Sequence, residues 1–389
     1  MSNIRIPTAL ILVVDDVGWH KGADERLRNR PSRSGLPRFH HKNDVLALNE
    51  IGKALDMKIV CSLVIGEWDR KNILRGVPHV TWDEEGWDAA GIMDKEYTEE
   101  YFRALEDSEY LDYSLHGLLH GYYENGKLVS ELQYYPLSGK DADGKRIPRW
   151  LPSEEFDKML SLFFDIYNDW GFKKKIVTFV CPCGCLGTPK DEGNIEYARI
   201  IRKYGMIYWN NGWPMFDGAV DTVGGVITSK SYSLAPWNAY DVDPSTLKLF
   251  ITEDSTDIRP TCCEHLTNFV RFNPKKNFEA VGAWVDYFKR QAEVFGVMIA
   301  RDNAFSCSQT LYSKYAKIEE QDGKYVIDLS AVDAIDAVGR QNEFYLSLKN
   351  GEEPVSCIGG EVSLYEIKKN FKTYKIIRDG SKTVVLSVK

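Results

Sequence analysis

Asp15 and Asp16 are adjacent carboxylates at the end of an apolar run, Leu10 to Val14, inside the stretch Ala9 to His20. A short unbroken apolar run reads as a strand buried on both faces, as in parallel α/β sheets. Such sheets place their chemistry at the carboxyl ends of the strands. Successive strand side chains point opposite ways, so the two carboxylates can serve two partners. The same pair would serve equally as a turn, because Asp is common where a strand gives way to a loop.

A second group is Ser114-Leu-His116-Gly-Leu-Leu-His120. Two imidazoles four residues apart lie on one face if the chain turns helical there, and that spacing suits a divalent metal. Adding a carboxylate from another strand end leaves a coordination position for water and substrate. A third group is Cys262-Cys-Glu-His265, where a lone His is ordinarily structural unless it faces the first two groups. The fourth is Cys181-Pro-Cys183-Gly-Cys185. One-residue spacing between thiols fits a tetrahedral metal poorly, so this run reads as small Cys side chains in a tight turn. Glu131 and Trp213 are further candidates for contact with a ligand, while Trp209 is as readily a core residue.

The elements that must position these residues alternate strand and helix. Helical spacing covers 43–55, 94–107, 153–170, 194–204, 277–295 and 307–315, with Ser153 as an N-cap. Strand-like runs cover 57–65, 110–115, 175–180, 206–209, 247–252 and 297–300, and Gly121 to Pro152 reads as loop. The αβ alternation predicts a parallel sheet or barrel. From about residue 317 the pattern changes to β-branched, alternating runs punctuated by Asp-Gly and Asn-Gly turns, which predicts a small antiparallel β-sandwich-like module over 317–389.

Composition sets limits. The 389 residues are 43% hydrophobic, enough for a sizeable core, and the formal net charge of −8 argues against a general nucleic-acid binder. The 10 Trp and 21 Tyr are compatible with a sugar-stacking cleft. No stretch reaches the ~20 apolar residues of a membrane span, and no secretory signal precedes the first strand, which points to a cytoplasmic protein. The eight Cys form no disulfide-scaffold rhythm and are expected as reduced thiols.

Strand-Asp-Asp, then His-x-x-x-His, then a Pro-containing turn after a strand, then a late His, resembles the polysaccharide deacetylase superfamily (NodB-homology, carbohydrate esterase family four) over residues 8 to 315. The resemblance implies an α/β fold, a distorted (β/α)7 barrel spanning residues 1–316 with the small C-terminal module appended. It implies Asp15 as general base, Asp16, His116 and His120 as ligands of one divalent ion, and His265 as general acid. The ion would be zinc, with cobalt, manganese or nickel as alternatives. The family's Arg-x-Pro-Tyr turn falls on Val180-Cys-Pro-Cys183, so the backbone N–H of Cys183 would face the oxyanion. The Arg that orients the base is replaced by Val180, which leaves Arg259 as a candidate cation for Asp15. The implied activity is removal of an N- or O-acetyl group from an oligo- or polysaccharide. A carbohydrate-binding homologue without turnover, and a glycoside hydrolase on a related barrel, are the alternatives.

Overall fold

The protein's structure, a computed structural model, describes residues 3–18, 38–183, 192–210, 220–236, 239–256, 258–349 and 351–389. Its centre is a mixed α/β sheet. The parallel strands are β1 (Thr8–Val17), β2 (Ile59–Val64), β3 (Leu111–Gly117), β4 (Thr178–Val180), β5 (Tyr208–Asn210), β6 (Val226–Ser229), β7 (Thr261–His265) and β8 (Val297–Ile299). Their order across the sheet is β6-β5-β4-β3-β2-β1-β7, with Val220–Val223 antiparallel on β6 and Ser231–Tyr232 parallel on β7. One edge of β1 is shared lengthwise: Thr8 to Leu10 pair with β8, and Ile11 to Asp15 pair with β7.

All ten residues of β1 are buried, which is why its sequence is continuously apolar up to the carboxylates. Helices α1 (Lys42–Leu55), α2 (Lys95–Glu106), α3 (Ser153–Trp170), α4 (Glu192–Lys203), α5 (Val281–Gln291) and α6 (Asn303–Tyr315) connect or follow these strands. In α3 the buried stripe Phe156, Met159, Leu160, Phe163, Tyr167 and Trp170 keeps helical period, and Gly171 closes the helix at φ 79°. Before α1, Arg38 makes a two-point bond to Asp44, at 2.9 and 2.7 Å, and also donates to the carbonyl of Arg271.

Residues beyond α6, together with Ile4–Arg5, form two antiparallel four-stranded sheets. One orders Lys317–Gln321, Lys324–Asp328, Thr383–Val388 and Pro354–Ile358; the other orders Ile4–Arg5, Glu343–Lys349, Phe371–Arg378 and Gly360–Ile367. Phe344, Leu346, Leu348 and Ile376 of the second share a core with Ile327, Val384 and Leu386 of the first. The strand Ile4–Arg5, just ahead of β1, completes this second sheet against Glu343–Lys349.

Several sequence expectations are corrected. Residues 247–252 are irregular, with a 3-10 turn at Pro244–Thr246, and Ile251 N–H is bound by the Gln291 side chain. Pro152 is the N-cap of α3 and Ser153 its first residue. Residues 121–152 hold two short hairpins, and the first turns on Asn125-Gly126 at φ 50° and 73°. Both positive angles suit the type I′ turn that matches strand twist. Residues 274–280 are 3-10 rather than α-helical, and Phe278 is exposed. Cys181 is disulfide-bonded, against the expectation of thiols throughout.

Candidate metal centre

The carboxyl ends of β1, β3 and β7 meet at one place. Against β2, the register of β1 shifts between Val14 and Val17, so Asp15 and Asp16 occupy a bulge rather than regular strand. Asp16 sits at φ 63°, a left-handed conformation that Asp tolerates better than most residues. Both carboxylates are buried, each 3% exposed. Two residues on, the Gly18 carbonyl accepts from the Trp68 indole at 2.6 Å, which ties this loop to the end of β2.

His116 is the penultimate residue of β3 and 1% exposed. Its Nδ1 lies 2.8 Å from the Val180 carbonyl. A carbonyl only accepts, so Nδ1 carries the proton and Nε2 of the neutral ring presents a lone pair. That Nε2 is buried and has no hydrogen-bond partner. His120 reaches the same point by a bend, not by the helical turn expected from its spacing, and is itself left-handed at φ 47°. The bend is held by Gln133, whose Oε1 accepts from Leu118 N–H at 3.1 Å, and by Gly66 N–H donating to the Leu118 carbonyl at 2.6 Å.

The donors converge without bonding one another. His116 Nε2 and His120 Nε2 lie 3.7 and 3.8 Å from Asp16 Oδ1. Ligand atoms of all three residues lie within 4.8 Å of one another. Tetrahedral ligands at ordinary zinc bond lengths stand about 3.4 Å apart. A buried imidazole lone pair without a donor, beside a buried carboxylate just beyond hydrogen-bond range, fits a cation held between them. Two His and one Asp suit zinc and its borderline neighbours better than magnesium or calcium, which prefer all-oxygen sets.

Two further groups flank the triad. His265, opposite Asp15 in register, has Nε2 4.0 Å from Asp16 Oδ2 and a side chain 27% exposed, so it faces both the triad and solvent. Its backbone N–H is held at 2.9 Å by Asn268 Oδ1, and Asn268 Nδ2 in turn donates to the carbonyls of Pro236 and Ala239. Asp15 Oδ2 accepts from the Cys263 thiol at 3.1 Å. Burial and the Asp15 charge push the Cys263 thiol well above its ordinary value, so it stays protonated and remains a donor. Arg259 does not reach Asp15; it donates to the Ser231 carbonyl and lies over the Tyr232 ring.

The intervening Glu264 points to the other side of β7. Its Oε1 accepts from Leu234 N–H and its Oε2 has no hydrogen-bond partner. Burial pushes its carboxyl up to about 8.

Of the remaining sequence candidates, Cys183 is exposed at φ 53°, in the turn that follows the Val180 carbonyl. Glu131 is exposed and outside the cluster; the side chain that reaches the His loop is Gln133, two residues further on. Trp213 lies outside the described residues. Trp209 is fully buried against Phe179, a core residue. Gln133 and Cys263 were missed by sequence reasoning. Nothing local marks Gln133, whereas Cys263 stands two residues before His265 on one strand and so faces the same way. No known family's sequence profile matches the chain, and no curated protein does.

Proposed function

We propose that this protein is a metal-dependent hydrolase that removes an acyl group, N- or O-acetyl, from a carbohydrate, built on the distorted barrel of the polysaccharide deacetylase superfamily. The observation that carries the reading is the buried Asp16-His116-His120 cluster, flanked by the buried Asp15 carboxylate and by the partly exposed His265 imidazole. Asp16, His116 and His120 would hold one divalent cation, which when bound polarises an acyl carbonyl and acidifies water.

The chain's own groups supply the rest. Asp15 takes the proton of the attacking water, oriented by the Cys263 thiol. His265 delivers a proton to the departing amine or alkoxide, and its partial exposure gives the leaving group a way out. The Val180 carbonyl keeps His116 in the tautomer that presents Nε2 inward. The N–H of Cys183 is assigned to the oxyanion.

The test compares wild type with His116→Ala. Wild type should hold one equivalent of zinc by elemental analysis and release acetate from acetylated sugars; chelation should abolish release, and zinc or cobalt should restore it. His116→Ala should lose both metal and activity. Wild type that binds no divalent ion, or that cleaves equally well after chelation, would end this reading.

A further inference from the structure

A cavity of about 290 Å³ lies beside the turn that ends β2. No triad residue lines it, nor does Asp15 or His265. Four of its described lining residues are aromatic, Phe39, Trp82, Trp87 and Tyr97, and two are acidic, Glu67 and Asp94. Trp82 and Trp87 meet edge to face at 5.0 Å and 77°. The volume is at the small end for ligand pockets, enough for one six-membered ring with substituents.

The polar atoms of these walls determine what fits. The Trp87 indole N–H is spent on buried Asp69, at 3.0 Å. The Tyr97 hydroxyl donates to the His40 carbonyl, and the Thr98 hydroxyl to the Asp94 carbonyl. These three side chains therefore have no polar hydrogen left to offer a ligand, and what they add to the lining is ring and carbon surface. None of the ten described residues that line it is Lys, Arg or His, whereas two are carboxylates. Burial pushes the Tyr97 hydroxyl far above its ordinary value; the charges of Asp44, Glu67 and Asp94 add to that, and Arg38 opposes it. An anion is repelled by such a lining, and among the described residues that line it there is no side-chain cation for a neutral acceptor. A cation gains from the ring quadrupoles and from the carboxylates together. Arg38 is paired with Asp44, and Arg75 with Asp88.

We propose that this cavity is a binding site for an organic ammonium group carried on a carbon body of about one six-membered ring. The site stands apart from the metal centre and its existence does not depend on the hydrolase reading. It is nonetheless braced to it, because Glu67 lies between Gly66, bonded to the Leu118 carbonyl, and Trp68, bonded to the Gly18 carbonyl.

The test is calorimetric titration of the full chain with cyclohexylammonium and with cyclohexanol, which share a body and differ in charge. The cation should bind at one site roughly tenfold or more tighter than the alcohol. Glu67→Gln and Asp94→Asn should each weaken the cation severalfold and leave the alcohol unchanged; Asn keeps the N-cap role of Asp94 at α2. Trp82→Phe, a milder change than Ala, should also weaken it. His116→Ala should bind the cation as wild type does, which separates this site from the triad. Equal affinity for the two probes, no binding by either, or cation binding lost in His116→Ala but kept in the Glu67 and Asp94 variants would each overturn the proposal.

Discussion

Replacing Cys263 tests the least expected contact of the centre. Its thiol and the Asp15 carboxylate are both buried and meet at 3.1 Å. Cys263→Ala removes the donor and leaves a buried carboxylate oxygen short of one bond, a loss of about 1–3 kcal/mol in stability. For a chain of 389 residues the unfolding entropy is roughly 0.8 kcal/mol/K, so the melting temperature should fall by about 1–4 °C. Catalysis should suffer more than folding. A positioned general base supplies roughly 10²–10⁴ in rate, and a base that keeps its chemistry but loses its orientation forfeits part of that. The expected result is a kcat lowered about ten- to a hundredfold with KM nearly unchanged, because the proposed role of Asp15 is on water and not on substrate. Cys263→Ser should recover only part of the rate. Its oxygen sits roughly 0.4 Å nearer its own Cβ, which leaves the contact beyond the usual O–H···O range until the strand adjusts. Steady-state acetate release gives kcat and KM, and metal content measured alongside should not change, since Cys263 is no member of the triad. A Cys263→Ala enzyme with wild-type kcat, or one in which only KM rises, would refute the positioning role.

Glu264 makes stability depend on pH. Its folded carboxyl is raised from 4.5 to about 8, so between those values the native state holds a proton that the unfolded chain has released. Stability is then fully present below about pH 4.5 and falls as pH rises towards 8. Glu264→Gln, which keeps an acceptor for Leu234 N–H, should raise the melting temperature at pH 8, leave it unchanged near pH 4.5 and flatten the profile between. Parallel denaturation profiles of variant and wild type would count against it. At Gly117, a Cβ would come within 2.4 Å of Gln133 Oε1. Gly117→Ala should therefore displace Gln133, free the Leu118 N–H, lower stability by about 1–3 kcal/mol and weaken metal binding. Thermal melts with a metal titration check this, and a variant equal to wild type in both would mean the bend does not set the His116-His120 spacing.

The sheet was readable because its strands are largely buried and mostly apolar, most completely in Leu10 to Val14. The ends of those strands were readable for the opposite reason, since Asp15, Asp16, His116 and His265 interrupt that pattern abruptly. What lay beyond reach was geometry fixed by partners distant in the chain. The bend between His116 and His120 depends on Gln133 and Gly66, and the anchor of Asp15 comes from a strand about 250 residues later. A helical turn and an Arg were the local guesses; a side-chain brace and a thiol took their places. The strand expected at 247–252 failed because its Ile251 N–H is satisfied by Gln291 rather than by a neighbouring strand.

The way β1 shares one edge between two late strands has a bearing on how the chain assembles. Its other edge finds β2 within about 50 residues, and β3 follows at once, so Asp16, His116 and His120 all come from the first 120 positions. The open edge must wait for residues 261–265 and 297–299, and the strand just before it, Ile4–Arg5, waits for 343–349. Pairings of such long sequence separation form slowly, since the loop must close before the contact rewards it. As the chain emerges from the ribosome, the three side chains that could hold a cation are therefore made long before Cys263 and His265 can join them. The first strand to be synthesised is among the last to be enclosed.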